Sequence, residues 1–199
     1  MTPFKEAKFN IPELKGISKK TIEEHLKLYA GYVKHANLIL EHIDELAQNA
    51  EKYAYELGEL QRRFSFEFNG IVNHEYYFES LSGGTKTLPE KSELKTIIAE
   101  TWGSFDAWLN RFKAIALTRG IGWAMLYYDP LTKRLLNAWV DEQHLGQLNG
   151  CKTILALDMW EHSFVADYQP SGKKNYVEDY FLNLNWEAEE KNYKQAVEG

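Results

Sequence analysis

Residues 18–47 read SKKTIEEHLKLYAGYVKHANLILEHIDELA, and this stretch decides the first half of the fold. Ile22, His25, Leu26, Tyr29, Tyr32, Val33, Ala36, Leu40, Ile43 and Ala47 recur at steps of three and four, the spacing of one face of an α-helix. Ser18 stands just before the run and is a good N-cap. Upstream, Phe9 to Gly16 contains Pro12 and reads as an extended arm. Downstream, Lys52 to Leu81 repeats the helical spacing through Leu57, Leu60, Phe64, Phe68, Ile71, His74, Phe78 and Leu81, and stops before Gly83 and Gly84. The pair predicts an antiparallel helical hairpin.

Beyond Pro89 the helical pattern continues through Ile97 and Ile98, and again from Ser104 to Gly120. The period then changes. Gly122 to Asp129, Leu135 to Val140 and Thr153 to Asp158 are short, rich in aromatic and aliphatic residues, and separated by turn formers such as Asp129-Pro130, which predicts three strands of a small antiparallel sheet. A last helix is expected over Tyr176 to Trp186, followed by a charged tail. The expectation is an α+β chain with a helical hairpin domain at 1–85 and an α/β domain at 86–199.

The composition narrows the function classes. Twenty-nine acidic against 23 basic residues give a formal net charge of −6, so neither nucleic acid nor an anionic membrane surface is an expected partner. The start, Met1 to Asn10, carries Lys5, Glu6 and Lys8 and lacks the apolar core of a secretory signal; a cytoplasmic location is expected. One cysteine, Cys151, forms no intrachain disulfide or thiolate cluster and reads as core packing, so a bound metal would rely on His, Asp or Glu.

Of the six histidines, His35 and His42 lie among polar neighbours and read as solvated. His25 and His74 fall on the apolar stripes of two adjacent helices, where a buried imidazole needs partners for both ring nitrogens. Asp158 ends an apolar strand four residues before His162; a carboxylate there is costly to bury unless a cation neutralises it, as a metal ion would. Three imidazoles and a carboxylate suit iron or manganese, without excluding zinc.

The run Leu157-Asp158-Met159-Trp160-Glu161-His162-Ser163-Phe164, with Asp167-Tyr168, Tyr176 and Asn183-Leu184-Asn185-Trp186 after it, resembles the C-terminal signature of the iron/manganese superoxide dismutases. Thr21 to His25 with Tyr32-Val33, Asn73-His74, and Gly120 to Leu126 resemble three further parts of that family. The resemblance implies His25, His74, Asp158 and His162 as ligands of one iron or manganese ion per subunit, superoxide as substrate, and Tyr32 as proton donor. It also implies an outer amide hydrogen-bonded at the centre. Gly70 has no side chain to supply it, which leaves Gln143 first and His144 second. Trp123 and Trp160 are expected as aromatic walls. Glu161, flanked by Trp160 and His162, is expected to escape a desolvation cost by reaching the histidine ligand of a second subunit, in a homodimer or a pair of dimers.

Three departures from the family pattern bear on the entrance: His25 to Tyr32 is one residue short, Tyr29 stands where relatives have a second histidine, and Val165 where they have a tyrosine. An arginine expected before Tyr176 is missing, with Lys173, Lys174 or Lys27 as candidate replacements. Two other classes fit the same ligands less well: a non-catalytic module of the same fold, and a zinc hydrolase.

Overall fold

The computed structural model describes residues 2–199. Helix α1 spans Lys19–Leu46 and α2 spans Ala54–Leu81, the second beginning two residues later than expected. Ser18 caps α1, its Oγ accepting from Thr21 N–H at 3.2 Å. The buried face of α1 is Ile22, His25, Tyr29, Val33, Ala36 and Ile39; Leu40 and Ile43 are only half-buried and Ala47 is exposed, so the stripe sinks for five turns and then surfaces. On α2 the expected Phe68 lies outward, 38% exposed, while Phe66 and Tyr77 turn inward. The reason is that α2 packs against α1 on one side and the sheet on another, so its buried arc is wider than one stripe.

Short helices follow: α3, Glu93–Trp102, capped by Ser92, and α4, Phe105–Ala116, capped by Ser104. Strands β1 (Gly122–Asp129), β2 (Arg134–Asp141) and β3 (Lys152–Asp158) form one antiparallel sheet in the order β2-β1-β3. The central β1 is buried from Gly122 to Tyr128, which explains why it reads as an unbroken apolar run rather than an alternation. Its register sets Trp123 opposite Asp158 on one side and Val140 on the other.

The C-terminus departs from expectation. A single turn, α5 (Val165–Tyr168), leads to α6 (Lys173–Asn183), and the chain then extends at Leu184 before a further helix, α7, Trp186–Glu198. The charged segment is therefore a helix, capped by Asn185, whose Oδ1 accepts from Glu187 N–H at 3.2 Å. Its period was hidden because the face it buries carries Glu189, Glu190 and Asn192 beside Ala188, Tyr193 and Ala196. The α6–α7 junction clasps the end of α2: Asn185 donates from its backbone to Ser80 O at 2.7 Å and from Nδ2 to Ser82 O at 2.8 Å. One apolar core runs through both halves. Among the described residues, no helix is long and apolar enough to cross a membrane.

Candidate metal centre

Four side chains from four places in the chain converge where the hairpin meets the sheet: His25 from α1, His74 from α2, Asp158 from the end of β3, and His162 from the turn after it. One ligand atom from each lies within 4.8 Å of the others. The Nε2 atoms of His25, His162 and His74 stand 3.0, 3.1 and 3.6 Å from Asp158 Oδ2. His25, His74 and Asp158 are fully buried and the His162 side chain is 21% exposed.

The turn that delivers His162 is built by Asp158 itself. Asp158 Oδ1 accepts from Trp160 N–H at 2.7 Å, and its backbone carbonyl accepts from Tyr176 Oη at 2.9 Å and Ser163 Oγ at 3.1 Å. This folds a tight loop that brings His162 back over the carboxylate. His74 Nδ1 lies 2.6 Å from the Gly70 carbonyl. A carbonyl only accepts, so Nδ1 carries the proton and Nε2 presents a bare lone pair to the centre.

The fit to a cation follows. A lone pair 3.6 Å from a carboxylate oxygen is two acceptors facing each other, and neither His74 Nε2 nor His25 Nδ1 has a hydrogen-bond partner among the described residues. Buried polar atoms rarely stay unmatched without a reason. A positive ion between the rings supplies it for His74, since nitrogen and oxygen donors carrying one negative charge match a hard or borderline divalent or trivalent metal. Burial, followed by the charge of His25, pushes His74 down to about 3 and so keeps it neutral and ready to ligate. Burial also pushes the Asp158 carboxyl up, but His162 and His25 outweigh it and hold the group below its usual range.

Beside the quartet runs an ordered hydrogen-bond chain. Trp123 Nε1 donates to Gln143 Oε1 at 2.9 Å, and Gln143 Nε2 donates to Tyr32 Oη at 2.9 Å. An indole can only donate, so the amide orientation is fixed: Tyr32 accepts, and its own proton is left free. Gln143 is fully buried. His144, the alternative, instead sets its ring against Phe66, 5.7 Å away. Burial, then the charges of Asp158 and Glu67, raise Tyr32 and keep its hydroxyl protonated. Gly70 has a second use, since a Cβ there would lie 2.5 Å from Tyr32 Cδ1. The missing side chain is the space that the Tyr32 ring fills. The one-residue-short step from His25 is thus absorbed on the same helix face.

A cavity of about 310 Å³ opens onto this centre, lined by Lys27, Tyr32, Arg63, Phe66, Trp160 and His162 among others. Lys27 is where a guiding cation was expected, but its Nζ is 2.7 Å from Glu24. Arg63 was not singled out from the sequence; its guanidinium lies 3.7 Å over the Phe66 ring and its Nε 2.7 Å from the buried Glu67. The signal was available, since Arg63, Phe66, Glu67 and Gly70 share one face of α2 by their spacing. Lys173 lies elsewhere, donating to Thr118 O at 2.7 Å and lining a groove with Glu161; Lys174 is exposed.

The remaining expectations divide. Trp123 packs edge-on to His74, and Trp160 stacks on His162, as aromatic walls would. Tyr29 is buried and committed elsewhere, accepting from Ala7 N–H and donating to Glu75 Oε1, both at 2.8 Å. Glu161 is exposed in the single chain, so the desolvation cost assigned to it does not arise within one subunit: the turn points it outward. His35 and His42 are exposed, although His35 sits on the cavity rim. Cys151 is half-buried against the core.

Comparison with known proteins adds an independent line. Residues 9–82 match the family described as iron/manganese superoxide dismutases, alpha-hairpin domain, and residues 89–192 match the C-terminal domain of the same family. The chain is 35% identical over 188 residues to the superoxide dismutase [Fe] of Cupriavidus metallidurans, covering 93% of this chain and 92% of that protein. It is 36% identical over 172 residues to superoxide dismutase [Mn] 2 of Haloferax volcanii, covering 85% and 83%. It is 33% identical over 179 residues to the superoxide dismutase [Fe] of Tetrahymena pyriformis, covering 87% and 90%.

Proposed function

The chain belongs to the iron/manganese superoxide dismutase family, and we propose that it performs that reaction, two superoxides and two protons giving dioxygen and hydrogen peroxide, with His25, His74, Asp158 and His162 holding the ion. The observation that carries the ligand assignment is the bare Nε2 of His74, fixed by the Gly70 carbonyl and aimed at a carboxylate. Bound there, iron or manganese would take an electron from one superoxide and return it to the next. Relatives of both metals are similar to this chain, so the metal is stated as either.

The chain's own residues account for the rest. Neutral imidazoles with one carboxylate leave positive charge at a loaded site, which attracts an anionic substrate. Trp160, Phe66 and Tyr32 narrow the cavity to small molecules. Tyr32, held by Gln143 but with its own proton free, is placed to pass one of the two protons that the peroxide product requires. Lys27 and Arg63 line the approach.

The assembly reading is a homodimer. Glu161 stands exposed beside a His162 side chain that is itself 21% exposed, and the groove next to it includes Leu117 and Ile121, exposed by 38% and 40%. A second copy there would satisfy Glu161 through a histidine ligand and cover both apolar side chains. A cytoplasmic setting fits the single cysteine. Division into units at 1–85 and 86–199 fits the two matched segments.

Metal analysis combined with superoxide consumption tests the reading. The wild type is expected to carry iron or manganese and to dismute; His162→Ala loses both metal and activity. Tyr32→Phe keeps its metal and loses on the order of a hundredfold in rate, the lower end of what a positioned proton donor contributes. Zinc without dismutation, or a fully metallated and active His162→Ala protein, would overturn it.

A further inference from the structure

The turn that carries Gln143 is held in a costly shape. Glu142, the residue before it, has φ +51°, a left-handed conformation that a non-glycine residue keeps only when its surroundings over-determine it. Its backbone is pinned on both sides, the N–H donating to Ile121 O at 3.3 Å and the carbonyl accepting from Trp160 Nε1 at 3.1 Å.

The Gln143 carbonyl is held by two further donors, Asn73 Nδ2 at 3.0 Å and Gln147 Nε2 at 3.2 Å. Gln147 Nε2 also donates to Asn73 Oδ1 at 3.1 Å, and Gln147 Oε1 accepts from Tyr127 Oη. Every direction in this set is forced. The carbonyl of Gln143 only accepts, so Asn73 and Gln147 both present their amino ends to it; Gln147 Oε1 then has only a donor's company to keep, and Tyr127 provides it. The resulting chain ties β1, α2 beside His74, and the turn after β2 into one unit.

We propose that Gln147, braced by Tyr127, is a positioning residue of the reaction: it locks the Gln143 turn so that the Gln143 amide stays between Trp123 and Tyr32. Gln147 acts only through Gln143. Its removal therefore lets the turn relax from its left-handed residue and carries the Gln143 side chain off Tyr32, while the four ligand side chains stay in place. The kinetic consequence rests on the dismutase reading above; the geometric one does not.

The test uses the full chain in both metal-free and metal-loaded forms. In metal-free protein, the Trp123 indole N–H, assigned with Trp123→Phe, reports the Gln143 bond directly by nuclear magnetic resonance and hydrogen exchange. Gln147→Leu is expected to shift that signal and speed its exchange. In loaded protein it is expected to keep full metal content, lower kcat by about three- to tenfold with KM little changed, and alter the pH profile of kcat as Gln143→Ala does; an outer-shell partner itself typically costs roughly 10–100-fold. Gln147→Glu should resemble the leucine variant, because a carboxylate sets acceptors against Asn73 Oδ1 and the Gln143 carbonyl. If Gln147→Leu does not fold, Tyr127→Phe, which removes only the brace, decides by the same indole signal. An unmoved indole resonance with unchanged exchange overturns the proposal, as does a wild-type kcat and pH profile in a metallated variant. A wild type without dismutase activity would overturn the functional reading instead and leave the indole result standing.

Discussion

Glu189 on α7 is fully buried and neither carboxyl oxygen has a hydrogen-bond partner among the described residues. Burial, with Glu79 nearby adding to it, raises this carboxyl well above its ordinary value of 4.5. The folded state therefore holds a proton that the unfolded state releases, and stability falls as pH rises from about 4.5 through the folded value, at up to about 1.4 kcal/mol per pH unit. Glu189→Gln removes that proton uptake. Its thermal midpoint should match wild type near pH 4 and exceed it increasingly towards neutrality; equal midpoints across the range would show that the carboxyl is neutralised by other means. At this scale the sequence was uneven in what it disclosed. The four residues that converge at the candidate metal centre were readable because each was a costly residue in an apolar setting, whereas Gln143 and His144 are neighbours that only the turn geometry separates, one bonded to Tyr32 and the other turned to Phe66.

Within α2, Gly70 sets two forces against each other. Alanine is the better helix former by about 0.8–1.0 kcal/mol, but a Cβ would press on three atoms of the Tyr32 ring, all closer than 3.0 Å. Overpacking of this kind costs typically 1–3 kcal/mol, so Gly70→Ala should lower the thermal midpoint, and it should lower activity further by moving Tyr32. A more stable variant with full activity would mean that the ring shifts freely. The elements themselves were largely legible: both hairpin helices, the serine caps of α1 and α4, and all three strands follow from local chemistry, whereas Ser92, which caps α3, was not singled out. Two features were not. The arc buried by α2 depends on the sheet packing against it, which no single helix announces. The C-terminal helix α7 buries Glu190 as a cap for another element, its carboxylate accepting from Glu93 and Leu94 N–H, each at 3.1 Å, and from the Ser92 hydroxyl; a long-range cap of this sort looks, in sequence, like one more surface charge.

Across the whole molecule, the proposed ligands come from α1 and α2 in the first half and from the end of β3 and its turn in the second. An ion there fastens one half to the other, and stripping it should destabilise the fold. A ligand present at a thousand times its dissociation constant adds about 4 kcal/mol, which for a chain of this size is roughly 10 °C in the thermal midpoint. Calorimetry of loaded and chelated protein checks this; coincident transitions would show that the halves hold together without the ion. The architecture was legible as a sequence of elements, but the clasp of Asn185 on the end of α2 and the N-terminal arm's bonds to Asn37, Tyr29 and Ser82 are pairings between distant residues with no local signature. The cavity mouth has a consequence for how fast substrate arrives. Its two cations are each already matched, Arg63 by Glu67 and Lys27 by Glu24, on a chain whose overall charge of −6 repels superoxide at a distance. Capture should therefore be nearly indifferent to added electrolyte, or should quicken slightly up to about 0.15 M as screening weakens the repulsion, whereas a long-range electrostatic funnel would slow under the same titration.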